Sequence, residues 1–348
     1  MKISIITPSF NQADWLRLAV ASVADQVPVE EDAEMPKGRN AETNTGSSIQ
    51  DFNVSGFQDF SVEHLVMDGG STDGTVSMLK AWEQKTDNKL HHSSGTDTFH
   101  LGKNLGADAS CQLQPEPHAE MNGYFFHSVS EPDAGMYDAI NKGLNKAEGH
   151  ILAYLNCDEQ YLPKTLARVA RHFESHPETD LLFGDALLVD ENGKALSYRR
   201  MVRPDRWHTR LCHLSSLSCA MFFRRRVWES GIRFPVEYRM IGDAVFVERI
   251  LALGFRAAVL PEALASFAFT GVNQGQSQRA REEAGQWRRG PDAPPGWLMK
   301  PVSCLHRFRK LMAGAYAKRD LDYALFTERS AGKRQLFRAE GLGWNWPG

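Results

Sequence analysis

The chain has 348 residues, 42% of them hydrophobic, with a formal net charge of −3. That is enough apolar material for one large domain or two smaller ones, and the near-neutral balance excludes a global pull toward nucleic acid or an anionic membrane, so any basic partner site must be local. Five cysteines (Cys111, Cys157, Cys212, Cys219 and Cys304) are odd in number and scattered; they match neither a disulfide framework nor a zinc site and fit a reducing cytoplasm.

The first apolar stretch, Ile3 to Ile6, is too short for a secretory signal, and no later segment approaches the roughly 18 apolar residues that span a bilayer. Lys2 to Thr7 reads as a strand. Pro8-Ser9-Phe10-Asn11 then leads into a helix with Trp15, Leu18, Ala19, Ser22 and Val23 on one face, its start capped by Asn11 or Asp14. Phe60 to Met67 gives a second strand, and Asp68-Gly69-Gly70-Ser71-Thr72-Asp73-Gly74-Thr75 opens a helix through Leu79 and Trp82. A third turn, Ser130 to Gly135, precedes a helix with Met136, Ile140, Leu144 and Ala147 on one side. The strand Ile151 to Leu155 then ends in Asn156-Cys157-Asp158-Glu159.

Strands alternating with helices imply a parallel sheet with right-handed crossovers, and all its strand carboxyl ends share one edge. Residues 7–11, 68–73 and 156–159 should therefore converge on one rim, where open α/β sheets bind ligands. Asp158 and Glu159 repel one another unless a cation or a proton intervenes, and a hard divalent ion carrying phosphate oxygens is the usual reason to place them so; the plainer alternative is a solvated loop.

Two segments, at about residues 27–58 and 83–122, are polar and aperiodic and read as surface insertions, either spacers or a lid. Leu162 to Ser175 is expected to be helical, Leu181 to Val189 a strand with an Asn192-Gly193 hairpin after it, Phe222 to Ser230 an amphipathic helix, and Ile241-Gly242-Asp243 the start of a helix closed by Gly254. Composition shifts near residue 271. Beyond the Pro291 to Gly296 break, Trp297 to Ala317 forms a basic amphipathic helix, packed on the domain or attached to a membrane or partner. The expected layout is one α/β domain over residues 1–270 and a C-terminal extension over 271–348.

These motifs in this order, Ile6 to Asn11, Val66 to Thr75, Ser130 to Gly143, Leu155 to Glu159 and Gly242-Asp243, resemble the family 2 glycosyltransferases of bacterial surface-polysaccharide assembly. The resemblance runs from Lys2 to about Phe269, apart from the insertions. It implies a GT-A fold, a Rossmann-like mixed, mainly parallel sheet flanked by helices. It also implies that Asp68 accepts a hydrogen bond from the nucleotide base, that Thr7 and Pro8 line base and ribose, and that Asp133 with the Gly135 turn faces the nucleotide and phosphates. The residue-level alternatives are an Asx-turn role for Asp68 and a helix-cap role for Asp73. Tyr137 and Ile140 read as core; Asn141 and Lys142 reach the donor or solvate their helix.

Asn156-Cys157-Asp158 occupies the family's Asp-x-Asp position, which makes Asp158 the ligand of Mg²⁺ or Mn²⁺. Asn156 departs from the acidic first position and is left as a ligand or a supporting group; Glu159 binds metal, water or nothing; Cys157 packs. Asp243 matches the family's catalytic base, with a helix-start role compatible beside it. Asp185 is a secondary candidate for acceptor contact. Ser218-Cys219 stand where relatives often carry His-Gln, and Gln286-Trp287-Arg288-Arg289 lacks the order of the processive Gln-x-x-Arg-Trp signature.

The expected function is thus an inverting, metal-dependent transfer of one sugar from a nucleotide-sugar, a UDP-sugar foremost, to a saccharide or lipid-linked acceptor. The expected location is the cytoplasm, with peripheral membrane contact through the C-terminal helix and no nucleic-acid partner. The alternatives are a sugar nucleotidyltransferase, although Ser9-Phe10-Asn11-Gln12 has no basic phosphate-binding residue, or a catalytically silent nucleotide-binding relative.

Overall fold

A computed structural model describes residues 1–27, 60–92, 123–269, 277–290, 292–330 and 332–346. The expected insertions therefore lie outside the described residues, except at their edges. One edge carries a finding: the second helix continues through residues 83–92 instead of ending near Trp82.

Strand β1 (Lys2–Ser9) is followed by α1 (Ala13–Ala24), β2 (Ser61–Asp68), α2 (Thr75–His92), β3 (Tyr124–Ser130), α3 (Met136–Lys146) and β4 (Ile151–Tyr154). Then come β5 (Glu159–Tyr161), α4 (Thr165–Ser175), β6 (Leu181–Val189), β7 (Ala195–Arg199), α5 (Arg206–Leu211), β8 (Met221–Arg224), α6 (Arg225–Glu229), α7 (Gly242–Ala252) and β9 (Ala257–Ala268). The C-terminal part adds α8 (Gln278–Arg288), α9 (Met299–Met312), β10 (Arg319–Leu325) and β11 (Gln335–Leu342).

The central sheet has the order β3-β2-β1-β4-β8-β6-β9-β5, with β7 on β6. The first four strands in that order are parallel, as the repeating strand-helix units require, while β8 and β7 run antiparallel to their neighbours. Both faces are covered, and the alternation along β4 shows how. Ile151 and Ala153 point to a core with Ala19 and Val23 of α1 and Leu166, Val169 and Phe173 of α4. Leu152 and Tyr154 point to the other face, with Ile140 and Leu144 of α3 and Phe246, Val247 and Ile250 of α7. Burying each such side chain contributes roughly 1.5–3 kcal/mol.

Helix α3 lies very close to the sheet because of Gly143: a Cβ there would meet the Ile6 side chain at 2.5 Å and the Met67 side chain at 3.0 Å. Tyr137, not the exposed Met136, leads its buried stripe, stacking on Phe234 in the core over β4. The segment at Phe222 is a further correction. Phe222 and Phe223 are fully buried in the inner strand β8, with one ring on each face of the sheet, and only residues 225–229 turn into helix.

The C-terminal extension is packed onto the α/β domain. Tyr323, Leu325 and Leu342 of the β10-β11 hairpin share a cluster with Leu162, Leu187, Val189, Tyr198 and Ala268, and the Gln160 side-chain amide pairs with both backbone groups of Phe326. Helix α9 begins at Met299 and ends at Met312, shorter at both ends than the basic stretch predicts.

Candidate active site

The strand registers settle which residues meet. Ser9 lies opposite Asp68, and Asp68 opposite Ser130, so three consecutive strands end level with one another. The Leu155 amide donates to the Ile6 carbonyl at 2.9 Å, which brings the chain leaving β4 to the same rim.

At the β1-β2 end two loops are laced together. Asn11 adopts a positive φ of 52°, and its side-chain oxygen accepts from the Thr72 amide at 2.8 Å while its own amide donates to the Ser71 hydroxyl at 2.7 Å. Neither Asn11 nor Asp14 caps α1. Asp73 does so across the fold: one oxygen accepts from the Ala13 amide at 3.1 Å, the other from the Thr75 hydroxyl at 2.6 Å and amide at 3.1 Å. The Thr75 hydroxyl, with these amides, holds the Asp73 carboxyl below its usual range. Asp73 thus fixes two helix starts at once.

Asp68 is buried, and its Oδ2 accepts from the Gly70 and Ser71 amides at 3.1 and 3.0 Å and from the Ser130 hydroxyl at 2.7 Å. Its Oδ1 takes only the Ser71 hydroxyl among the described residues, leaving capacity for one more donor. The Thr7 hydroxyl is fully buried and pairs with His64 Nε2 at 2.8 Å, so its side chain is engaged inside the sheet; burial lowers that imidazole to about 3 and keeps it neutral. The Pro8 carbonyl accepts from Cys157 Sγ at 3.3 Å, tying the β1 turn to the acids after β4. Cys157 is a buried packing residue, and burial raises its thiol.

Asp133 lies against the same floor. Its Oδ1 accepts from the Gly135 amide at 2.7 Å, and its Oδ2 sits 2.7 Å from where a Cβ on Gly69 would stand. Gly135, with φ of 119°, begins α3 and lies directly beneath the Arg239 guanidinium, which would collide with any side chain there.

The acids past β4 are set differently from one another. Glu159 is buried and grips Asn156 twice, accepting from its amide at 2.8 Å and from its Nδ2 at 3.2 Å. Asp158 is half-buried, and among the described residues its carboxylate makes no side-chain hydrogen bond. Burial raises both carboxyl groups; at Glu159 the charges of Asp158 and Asp243 push in the same direction. Asp243 stands in the first turn of α7, near enough to act on Glu159, and burial raises its own carboxyl to about 6. Its Oδ1 accepts from the Ala244 amide at 2.8 Å and faces the Tyr137 hydroxyl at 3.5 Å. Gly242 makes that approach possible, since a Cβ there would stand 2.5 Å from the Tyr137 ring.

Asp68, Asp133, Asp158, Glu159 and Asp243 thus share one rim. Asp185 does not join them. It is completely buried within β6, accepting from the Tyr198 hydroxyl at 2.7 Å, Arg200 at 2.9 Å and the Met201 amide at 2.8 Å, which anchors β7 and the segment after it. Asn141 and Lys142 also act structurally: Asn141 exchanges hydrogen bonds with both backbone groups of Phe234, and Lys142 donates to the Pro132 carbonyl at 3.0 Å.

Three neighbours escape the sequence reading. Tyr137 reads as core from its periodicity, and it is core, stacked on Phe234 at 5.7 Å, yet its hydroxyl reaches Asp243. Arg239 lies far from Gly135 in the chain, yet its guanidinium stands where a Gly135 side chain would be. Cys219 is buried where the charges of Glu159 and Asp158 raise its thiol further, which places the Ser218-Cys219 departure beside the acids.

Residues 117–231 match the model of Glycosyl transferase family 2, a window that contains Asp133, Asp158 and Glu159 but neither Asp68 nor Asp243. A PGL/p-HBAD biosynthesis glycosyltransferase of Mycobacterium tuberculosis is 32% identical over 117 residues, which is 32% of this chain and 42% of that protein. The amylovoran biosynthesis glycosyltransferase AmsE of Erwinia amylovora is 27% identical over 136 residues, 38% of this chain and 50% of that protein. The chain therefore spans half or less of these curated relatives. A crystal structure of S. aureus TarS in complex with UDP-GlcNAc superposes with a TM-score of 0.50 at 16% identity, covering 90% of this chain and 73% of that one, a likeness of fold alone. Residues 117–231 are thus similar to glycosyl transferase family 2, and the sheet order with the likeness to solved structures gives the fold, GT-A.

Proposed function

We propose that this glycosyltransferase moves a single sugar, with inversion, from a nucleotide-sugar to a saccharide or lipid-linked acceptor. The observation that carries the reading is the contrast between two acids on one rim: Asp158, half-buried and without a side-chain hydrogen bond among the described residues, and Asp243, whose raised carboxyl is held at a helix start by one amide and approached by Tyr137. Asp243 is the base. As the acceptor oxygen attacks the anomeric carbon, its proton passes to the Asp243 carboxylate, the anomeric C–O bond to the diphosphate breaks, and the nucleotide diphosphate leaves from the opposite face.

Asp68 offers its remaining lone pair to a base N–H, which favours a uracil donor, and Pro8 lines the base and ribose beside it. Asp133 and the Gly135 turn face the phosphates, and Arg239, directly above Gly135, offers a cation to the charge that develops on the leaving diphosphate.

Among the described residues no group of three or more protein ligands lies together. The donor set would suit Mg²⁺ or Mn²⁺ held by one or two protein oxygens, and the Asp158 carboxylate, repelled by neighbouring Glu159, fits that cation. Asp158 would hold it. When bound, the ion neutralises the diphosphate. Asn156, locked to Glu159, supports the turn that presents Asp158 instead of reaching the ion itself.

No helix of the described residues is long and apolar enough to cross a membrane, and a lipid-linked acceptor would be met at the membrane's cytoplasmic surface by peripheral contact. A donor panel tests the whole reading. UDP-, GDP- and dTDP-sugars are incubated with the protein and Mn²⁺, and nucleotide release is measured with and without EDTA. Release from a UDP-sugar that EDTA suppresses is expected. Absence of release from every donor, with no metal-dependent UDP binding, sinks it.

A further inference from the structure

Helix α9 is built inside out. A helix on a globular surface normally turns its apolar stripe inward and its charges to water. Here the inward face carries His306, buried and stacked on His208 of α5 with ring centroids 3.6 Å apart, and Arg309, which donates to the Arg203 carbonyl at 2.6 Å. The opposite face carries Leu305, Phe308, Leu311 and Met312, which are 59%, 58%, 61% and 72% exposed. Pro301 and Cys304 extend that stripe at helical spacing, and Trp297, 72% exposed, continues it into the preceding turn. A contiguous exposed patch of this kind marks an interaction surface.

The charge around the stripe identifies the occupant. Residues 296–318 contain Lys300, Arg307, Arg309, Lys310 and Lys318 and not one Asp or Glu, in a chain whose net charge is −3. Exposed Lys300 and Arg307 flank the apolar stripe on one side. Apolar side chains between cations fit the boundary of an anionic bilayer, where acyl chains take the first and headgroups the second. A second copy of the chain fits worse, because a two-fold pairing of this stripe would set its cations against their own equivalents. With α9 only about 21 Å long at 1.5 Å per residue, the helix lies on the surface and cannot span it.

We infer that α9 is a membrane-docking helix that seats this chain on anionic phospholipid, its Trp297-Leu305-Phe308-Leu311-Met312 face entering the acyl boundary. Helix α5 packs between α9 and α7, the helix that opens with Asp243, so a path of packed helices links the docking face to the proposed base. The inference is independent of the donor and of catalysis.

Vesicle flotation of the full chain tests it, without any sugar donor. Vesicles of phosphatidylcholine alone are compared with vesicles that also contain phosphatidylglycerol, for the unaltered protein, for Phe308→Glu/Leu311→Glu, and for Lys300→Glu/Arg307→Glu. All four positions are exposed, so thermal unfolding of the variants is expected to match the parent. The parent should float with phosphatidylglycerol vesicles at least about tenfold better than with phosphatidylcholine, and each variant should lose about tenfold or more. Equal flotation with the two vesicle types, or undiminished binding by the Phe308/Leu311 variant, overturns the inference. So does a concentration-dependent dimer in sedimentation that this variant abolishes while the parent fails to float, since the face would then pair copies of the chain.

Discussion

Glu159 holds Asn156 by both its backbone amide and its side-chain amide, at 2.8 and 3.2 Å, and this grip leaves Asp158 between them as the acid facing outward. A buried carboxylate that spends both oxygens on a neighbouring turn is a positioning device. The turn it shapes keeps a second negative charge close to its own, which costs stability unless something neutralises it.

That cost has a sign. Asp158 and Glu159 are raised to about 6 and about 8, and Asp243 to about 6, all above ordinary carboxyl values because of burial. A raised carboxyl binds protons better in the folded state than in the unfolded one, so the metal-free protein loses stability as pH climbs from about 4 through about 8. Asp158→Asn removes one charge without removing a hydrogen bond. Its melting temperature should exceed the parent's at about pH 8 and fall to parity or below at about pH 5. Mn²⁺ should stabilise the parent at the higher pH and leave the variant unmoved; stabilisation of both alike removes Asp158 as the ligand.

Asp243→Asn preserves the size and the Ala244 contact of the side chain while removing the proposed proton acceptor. UDP and Mn²⁺ affinity should stay near the parent's while turnover falls by about 10²–10⁴, the range for loss of a general base. Turnover at the parent level places the base elsewhere. For the unaltered enzyme, kcat/KM should rise with pH and level off above about 6, the value to which burial brings this carboxyl.

Tyr137→Phe keeps the stack on Phe234 and removes a hydroxyl 3.5 Å from Asp243. That hydroxyl lowers the Asp243 carboxyl against the rise caused by burial, so the acid limb of the kcat/KM profile should move upward in pH, with a smaller loss at the plateau. A profile that keeps its midpoint reduces Tyr137 to packing alone.

Much of this arrangement was legible in the sequence, for a physical reason: strand-helix alternation dictates a parallel sheet, and a parallel sheet aligns Ser9, Asp68 and Ser130 wherever the chain goes between them. Local pattern failed where partners come from far away. Asp73 caps α1 from another loop, outside the stretch that holds Asn11 and Asp14. Phe222 and Phe223 sit on opposite faces of an inner strand, and so short an apolar run does not distinguish strand from helix. Asp185 lies inside β6 and not at a strand's end as Asp158 does; β6 is paired antiparallel with β7 and β8, and Tyr198, Arg200 and Met201 hydrogen-bond its carboxylate.

Gly143 tests whether the sheet-helix spacing beneath the site matters. Its missing Cβ lets α3 rest on Ile6 and Met67, and α3 carries Gly135 at one end and Tyr137 in its first turn. Gly143→Ala gains helix propensity, worth about 1 kcal/mol in an open helix, but forces a methyl group to 2.5 Å from Ile6 on a fully buried strand. Overpacking of this kind typically costs about 1–3 kcal/mol, so denaturant unfolding should show net destabilisation with an unchanged m-value. The same displacement lifts Tyr137 from Asp243, so the variant should also reproduce part of the Tyr137→Phe shift in the pH profile. A stabilised Gly143→Ala protein with the parent's profile means that α3 has room to spare, and that its closeness to the sheet does not position the base.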